Sequence, residues 1–348
     1  METVLLVLLS VVGIFLLGFI VLLCFALYVT RRFFHRRYNG NKHLKYFHAA
    51  DFHGLTADPV SFCSDQGQIL RGFIYKSQNI SSPLGLIVFS HGFSAGHEAY
   101  TTEINTFAQA GFIVLAYDGT GCVRSDGKYF RGFDQGLIDL KYALQFADGD
   151  PRLSGLNKVL VGHSWGAFSV MNAQAEAENI CGTVAMCGFI CGADVVAQTA
   201  VSRFPFVMRL FARVLRVINR RVFRKNANKN SLLSLRAAKC PVLLLYGERD
   251  KTVLYRYNGE KIKKGTKGKA NIQFYSYKDK GHNVYLTTEA EEYMNHTFGN
   301  ISRKARKDPE SAESLYNNVD YKKMTEEDPV VMEMILDFCK KAVGQTKQ

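Results

Sequence analysis

Acidic residues are missing from two long stretches of this chain. None stands between Glu2 and Asp51, and none between Asp194 and Glu248, where eleven Lys and Arg occur. A segment without carboxylates offers no anchor for a substrate amino terminus. The 8 cysteines (Cys24, Cys63, Cys122, Cys181, Cys187, Cys191, Cys240 and Cys339) show no paired spacing, so neither a metal knot nor a disulfide framework is expected. There is no internal repeat, no phosphate-binding loop and no low-complexity tail. The basic stretch also lacks the aromatic or glycine-rich pattern that base contacts need, which argues against nucleic acid as a partner despite a net charge of +13. No cofactor and no metal are expected, and nothing fixes the oligomeric state.

The composition that remains is globular. With 348 residues, 47% apolar and 22% charged, the chain can bury one large core. Its start is different: no charge falls between Glu2 and Arg31, and Val4 to Val29 is almost wholly Leu, Val, Ile, Phe and Gly. That run is long enough to span a bilayer with some tilt. A cleaved signal peptide would want a basic start and a shorter apolar core. Here the start is acidic and the run ends in Arg31-Arg32-Phe33-Phe34-His35-Arg36-Arg37. We therefore expect a retained single-pass anchor over 1–30 and a basic juxtamembrane linker over 31–58. The positive charge C-terminal to the span points the rest of the chain to the cytoplasm.

The body, 59–348, alternates strand-like and helix-like runs. Val60 to Cys63 and Ile69 to Tyr75 flank the turn signal Asp65-Gln66-Gly67-Gln68. Apolar runs then recur before Ser90, Asp118, Ser164, Cys187 and Glu248, separated by helical patterns, which predicts a mostly parallel sheet covered on both faces. Two stretches exceed a simple crossover. The first, about 195–238, carries Arg209, Arg213, Arg216, Arg220 and Arg224 at helical spacing and reads as a cap. Its arginines are either a solvated face or a surface for anionic lipid headgroups. The second, about 289–328, is mixed in charge and is expected at the rim of the site.

The chemistry gathers on Val159-Leu160-Val161-Gly162-His163-Ser164-Trp165-Gly166, three apolar residues running into Gly-x-Ser-x-Gly before a helical stretch. That order makes a strand, a strained turn and a helix, with Ser164 at the apex and its hydroxyl offered outward. A nucleophilic serine needs a base, an orienting carboxylate and oxyanion donors. Gly247-Glu248-Arg249-Asp250 and Gly281-His282 follow downstream, and His91-Gly92-Phe93 precedes, each at a strand's carboxyl end. For the acid, Asp250 leads, then Glu248, then Asp194; His91 and His163 are set aside as bases.

On these motifs, together with Asp118-Gly119-Thr120-Gly121-Cys122-Val123-Arg124-Ser125, the chain from about Val60 to Val343 resembles the α/β-hydrolase superfamily. It is most similar to single-domain acylglycerol-lipase, lysophospholipase and serine-aminopeptidase-like members. The resemblance implies an α/β fold with a helical cap, the nucleophile at Ser164, the acid at Asp250, the base at His282, and oxyanion amides at Phe93 and Trp165. It departs at Thr120, where the family usually has Arg. The expectation is a membrane-anchored serine hydrolase of carboxylic, lipid acyl esters, with membrane lipid and an ester substrate as partners. A serine peptidase of the aminopeptidase-like type, or a non-catalytic membrane scaffold, is the alternative.

Overall fold

Period-two burial builds the sheet. In the computed structural model, which describes residues 1–344 except 176 and 178, strand β3 (Leu86–Ser90) sends Leu86 and Val88 to one core and Ile87 and Phe89 to another. Strands β4 (Ile113–Tyr117), β5 (Lys158–His163) and β7 (Val242–Gly247) divide their side chains the same way. A strand buried on both faces must be apolar at every position, which is why these runs show no polar alternation. With β1 (Leu55–Cys63), β2 (Ile69–Ser77), β6 (Ile180–Met186) and β8 (Ile272–Tyr277), they form one eight-stranded sheet in the order β1-β2-β4-β3-β5-β6-β7-β8. The β1–β2 and β2–β4 pairings are antiparallel, and from β4 to β8 the sheet is parallel.

Helices cover both faces. Before them all runs α1 (Glu2–Phe34). On one face lie α2 (Thr101–Gln109) and α12 (Pro329–Gly344), the latter burying Val331, Ile335, Phe338 and Cys339. On the other lie α3 (Asp134–Gly149), α4 (Trp165–Ala173), α7 (Ser231–Arg236) and α8 (Gly259–Gly265). Each fully buried Leu, Val or Phe is worth roughly 1.5–3 kcal/mol, so these two layers hold the body together.

The stretch expected as a cap, about 195–238, folds as α5 (Gly192–Val201) and α6 (Pro205–Phe223), followed by α7. Its fastenings are polar as well as apolar. Arg216 pairs with Asp194, while Asp134 at the start of α3 accepts from the Asn219 side chain and from the amides of Asn228 and Lys229. The helix ends at Phe223, because Arg224 turns to φ 49°, so Arg224 leaves the arginine row that the sequence spacing extends through it. The second insertion folds as α9 (Thr288–Ala305), α10 (Pro309–Tyr316) and α11 (Tyr321–Met324) around Ile301, Val319 and Met324.

Helix α1 is the only helix among the described residues long and apolar enough to cross a membrane, with a mean hydropathy of 3.2. From Met1 to Val21 every residue is exposed. Farther along, Ala26 and Val29 are buried against Phe211, Ala212 and Leu215 of the cap, and the Phe25 and Phe211 rings lie 5.1 Å apart. The stretch after α1 also docks. Tyr38 pairs with Cys122 in a parallel bridge, and its ring lies 4.4 Å from that of Phe93. The Arg37 guanidinium donates to the carbonyls of Val123, Ser125 and Gly127.

Candidate active site

The turn between β5 and α4 sets the geometry. Ser164 sits at φ 56° and ψ −112°, a region that costs about 1–3 kcal/mol for a residue with a side chain. Two glycines make the turn possible. A Cβ on Gly166 would lie 1.8 Å from the Ser90 carbonyl oxygen, and one on Gly162 would lie 2.5 Å from the Gly166 carbonyl. The Ser164 amide donates to the Met186 carbonyl at 2.8 Å, pinning the turn to β6.

The structure brings Ser164, His282 and Asp250 into one line. Ser164 Oγ lies 2.9 Å from His282 Nε2, and His282 Nδ1 lies 2.7 Å from Asp250 Oδ2. The second Asp250 oxygen accepts from the amides of Thr252 and Val253 at 2.7 and 2.8 Å, so the buried carboxylate has one orientation. Held this way it fixes the proton on Nδ1 and leaves Nε2 free to accept the serine proton. The other two carboxylates considered from sequence are engaged elsewhere: Glu248 accepts from Ser276, and Asp194 from Arg216.

The His282 loop is clamped from both sides. Glu291, in the first turn of α9, accepts from the amides of Gly281 and Asn283 at 2.8 Å each. Lys280 is buried, bonded to the Leu286 carbonyl and paired with Asp328 at 2.8 Å. Gly247 lets this loop approach, since a Cβ there would lie 1.9 Å from the Gly281 carbonyl.

His91 and His163 have structural partners. The Gly119 amide donates to His91 Nε2, so Nδ1 carries the proton and donates to the Gly92 carbonyl. Burial pushes its pKa down, and the ring ties the Phe93 loop to the Asp118 loop. His163 is part of a relay that sequence reasoning missed. The Gly92 amide donates to the Tyr100 hydroxyl at 3.0 Å, which donates to His163 Nδ1 at 2.8 Å; His163 Nε2–H donates to the His282 carbonyl at 2.9 Å. Burial first, and then the charge of His282, hold the His163 pKa down at about 3, so this imidazole stays neutral beside the site.

The amides of Phe93 and Trp165 donate no hydrogen bond among the described residues. Trp165 N opens α4, where the helix dipole favours negative charge. Its indole donates to the Phe133 carbonyl and packs edge-on against Phe130. Phe93, Phe130, Phe133 and Phe189 stack into one aromatic wall, and Ser164 is only 7% exposed, where the sequence led us to expect an open hydroxyl.

Thr120, which stands in place of the usual Arg, donates from both amide and hydroxyl to Asp139, beside Ser64 and Gln135. Burial still raises the Asp139 pKa against these four donors. Asp118 differs: burial raises it, but the His97 ring, its amide and the nearby His91 prevail and bring it to about 2. Among the described residues one group, Cys187, Asp250 and His282, brings three metal-ligand atoms within 4.8 Å of one another. Burial, and then the Asp250 charge, push the Cys187 thiol well above its usual range, so it stays protonated and suits a metal poorly.

Residues 81–235 match a family described as serine aminopeptidase, S33. Among curated proteins none matches the sequence. An esterase from Pyrococcus furiosus superposes with a TM-score of 0.56 at 18% identity, covering 77% of this chain and 98% of that one. An acetyl xylan esterase from a Paenibacillus species gives 0.54 at 16%, over 79% and 92%. A hydrolase from a Penicillium species gives 0.51 at 17%, over 70% and 97%. At these identities the likeness is one of fold.

Proposed function

We propose that this chain, which belongs to the α/β-hydrolase superfamily, is a membrane-anchored serine hydrolase cleaving carboxylic esters of lipids. The observation that carries this reading is the line from Ser164 through His282 to Asp250, with the serine on a strained elbow. Ser164 Oγ attacks the ester carbonyl while His282 Nε2 takes its proton. The amides of Phe93 and Trp165 receive the oxyanion, and the alcohol leaves with the proton from His282. Water then adds to the acyl-enzyme, giving its proton to His282, and the acid departs as that proton returns to Ser164. A fluorophosphonate should label the full-length protein and leave Ser164→Ala unlabelled. Equal labelling of both sinks the proposal.

Retention of the anchor is supported by its docking. Val4 to Val21, exposed throughout, rises about 27 Å at 1.5 Å per residue, close to the ~30 Å hydrocarbon core of a bilayer. Residues 22–38 then pack on the cap and on the loop beside Phe93, contacts that a cleaved leader would not need. Arg31, Arg32 and Arg36 favour a cytoplasmic face for the body. On α6, Arg209, Arg213 and Arg220 are exposed toward solvent or anionic headgroups, and at the start of that helix Phe204 and Phe206 are 64% and 78% exposed. Changing these three arginines to Gln in the full-length protein should slow hydrolysis of lipid in anionic vesicles and spare a soluble short ester.

A peptidase reading draws on the serine-aminopeptidase match. Monoacylglycerol and an aminoacyl amide, offered side by side, separate the two. Faster amide turnover would establish the peptidase.

A further inference from the structure

A cavity of about 340 Å³ lies between α5, α6 and the start of α8. None of Ser164, Asp250 and His282 lines it, so it is distinct from the catalytic line. Its size is that of a small-ligand site, roughly 300–1,000 Å³. Its charge is one-sided. Arg209, Arg213 and Arg216 line it from α6 and Lys261 from α8, against one carboxylate, Asp194. Arg216 takes both oxygens of that carboxylate. Arg209 and Arg213 have no hydrogen bond or ion pair among the described residues, and the Lys261 ammonium has only the Tyr257 ring, 5.6 Å away. Cations along one helix are ordinarily a solvated face. Here a cation from a second helix, on the body, converges on the same hollow.

The buried side of the cavity holds two carboxamides, one orienting the other. The Ile190 amide donates to Asn258 Oδ1 at 3.2 Å, which turns the Asn258 NH₂ toward Gln198 Oε1, 2.9 Å away. The Gln198 oxygen therefore faces Asn258, and its NH₂ has no acceptor among the described residues. Gln198 is only 6% exposed and lines the cavity. A buried N–H without an acceptor is costly, and the cavity is where an acceptor can enter. Three free cations and one unanswered donor thus look into one space, and all of them donate.

We propose that this cavity binds a compact anion carrying two or more phosphate groups, held by Arg209, Arg213, Lys261 and the Gln198 NH₂. A phosphate offers only acceptors, and its oxygens match the guanidinium fork in pairs. One phosphate carries at most two negative charges, so three uncompensated cations call for more than one. The occupant bridges α5 and α6 to α8 on the body. This site differs from the attraction of the α6 arginine row to headgroups, which needs neither Lys261 nor Gln198. It is independent of the hydrolase reading, since no catalytic group takes part. The anion can be the head of a phosphorylated lipid or a soluble polyphosphate, because the chemistry that recognises them is the same.

The test titrates full-length protein, in nanodiscs of neutral phosphatidylcholine, with inorganic pyrophosphate and follows binding by calorimetry. Wild type should bind saturably, one anion per chain. Arg213→Gln and Lys261→Gln, both at exposed positions on different helices, should each weaken binding at least tenfold, the loss expected for one charge-assisted contact. Gln198→Glu keeps an oxygen for Asn258 but sets a carboxylate against the phosphate, and should abolish binding. Arg220→Gln removes the same charge from α6 outside the cavity and should change little. Repeating the titration in discs doped with a phosphatidylinositol bisphosphate, or with phosphatidylserine at matched charge, separates the sources. Competition by the bisphosphate lipid alone supports a headgroup, and competition by neither lipid supports a soluble anion. The absence of saturable binding overturns the proposal. So does Lys261→Gln binding as wild type, or Arg220→Gln losing as much as Arg213→Gln, which would reduce the effect to general charge.

Discussion

The Tyr100 hydroxyl can be deleted without leaving a hole, which makes Tyr100→Phe the most informative single change. The ring is buried, and the oxygen is bound on both sides, accepting from the Gly92 amide and donating to His163 Nδ1. Removing it strands two buried polar groups, each costing about 1–3 kcal/mol, so stability should fall by roughly 2–6 kcal/mol. The loss should reach catalysis through both ends of the relay. Gly92 precedes Phe93, whose amide we assign to the oxyanion, and His163 holds the carbonyl of His282. Complete loss of an oxyanion donor costs about 10²–10³ in kcat; a displaced one should cost roughly 10- to 100-fold, with KM little changed. The relay also has a pH signature. His163 is neutral in the folded protein down to about pH 3, whereas the unfolded chain takes up its proton near 6.5. The unfolded state binds more protons between those values, so stability falls as pH drops through this window, by up to roughly 1.4 kcal/mol per pH unit. His163→Gln should lack that limb. Thermal melts from pH 4 to 8 and steady-state kinetics on a short soluble ester measure all of this. A Tyr100→Phe protein as stable and as active as wild type would refute the argument.

Other outcomes follow from single contacts. Gly166→Ala should prevent folding, because its Cβ would lie 1.8 Å from Ser90 O, whereas Gly13→Ala, with open space around it, should leave expression and melting unchanged. Asp250→Asn keeps an oxygen for the Thr252 and Val253 amides but turns an NH₂ toward His282, reversing its tautomer. Activity should fall about 10⁴-fold while the melting temperature stays within a few degrees. Burial, opposed by the Thr106 hydroxyl, raises the Glu327 pKa to about 7, and burial followed by the Glu327 charge raises that of Glu103. The folded state then holds a proton that the unfolded chain releases above about 4.5, so this site stabilises at acid pH and its contribution is lost as pH rises through 7. Glu327→Gln should melt higher than wild type at pH 8 and no higher at pH 4; the opposite order would show that the carboxyl is ionised when folded.

What could be read from the sequence was whatever a few neighbouring residues determine. The strand, the elbow and the helix around Ser164 are written within ten positions, and Gly281-His282 and Gly247 to Asp250 are local as well. Tyr100 was invisible for the opposite reason: its partners stand 8 and 63 positions away, and no periodicity marks a tyrosine whose hydroxyl bridges them. The basic run after α1 misleads in a related way. Charge ordinarily signals solvation, yet Arg37 turns inward to three carbonyls, and Tyr38 becomes part of the wall behind Phe93. Helical spacing likewise extends the arginine row to Arg224, because periodicity cannot register the single φ of 49° that ends the helix.

Helix α1 runs unbroken for 33 residues, about 50 Å, from its exposed half onto the cap. A tethered enzyme swings on its leash, sampling many heights and headings above the bilayer. On the proposed anchored reading this one would be mounted on a stiff post, with the Phe25–Phe211 contact and the Arg37 clamp as its two bolts. Tilting the post must turn the body with it, and the nearest part to feel the torque is Tyr38 against Phe93. Bilayer thickness, which biases helix tilt, would then act as a mechanical setting on the Phe93 loop, to which we assign an oxyanion amide.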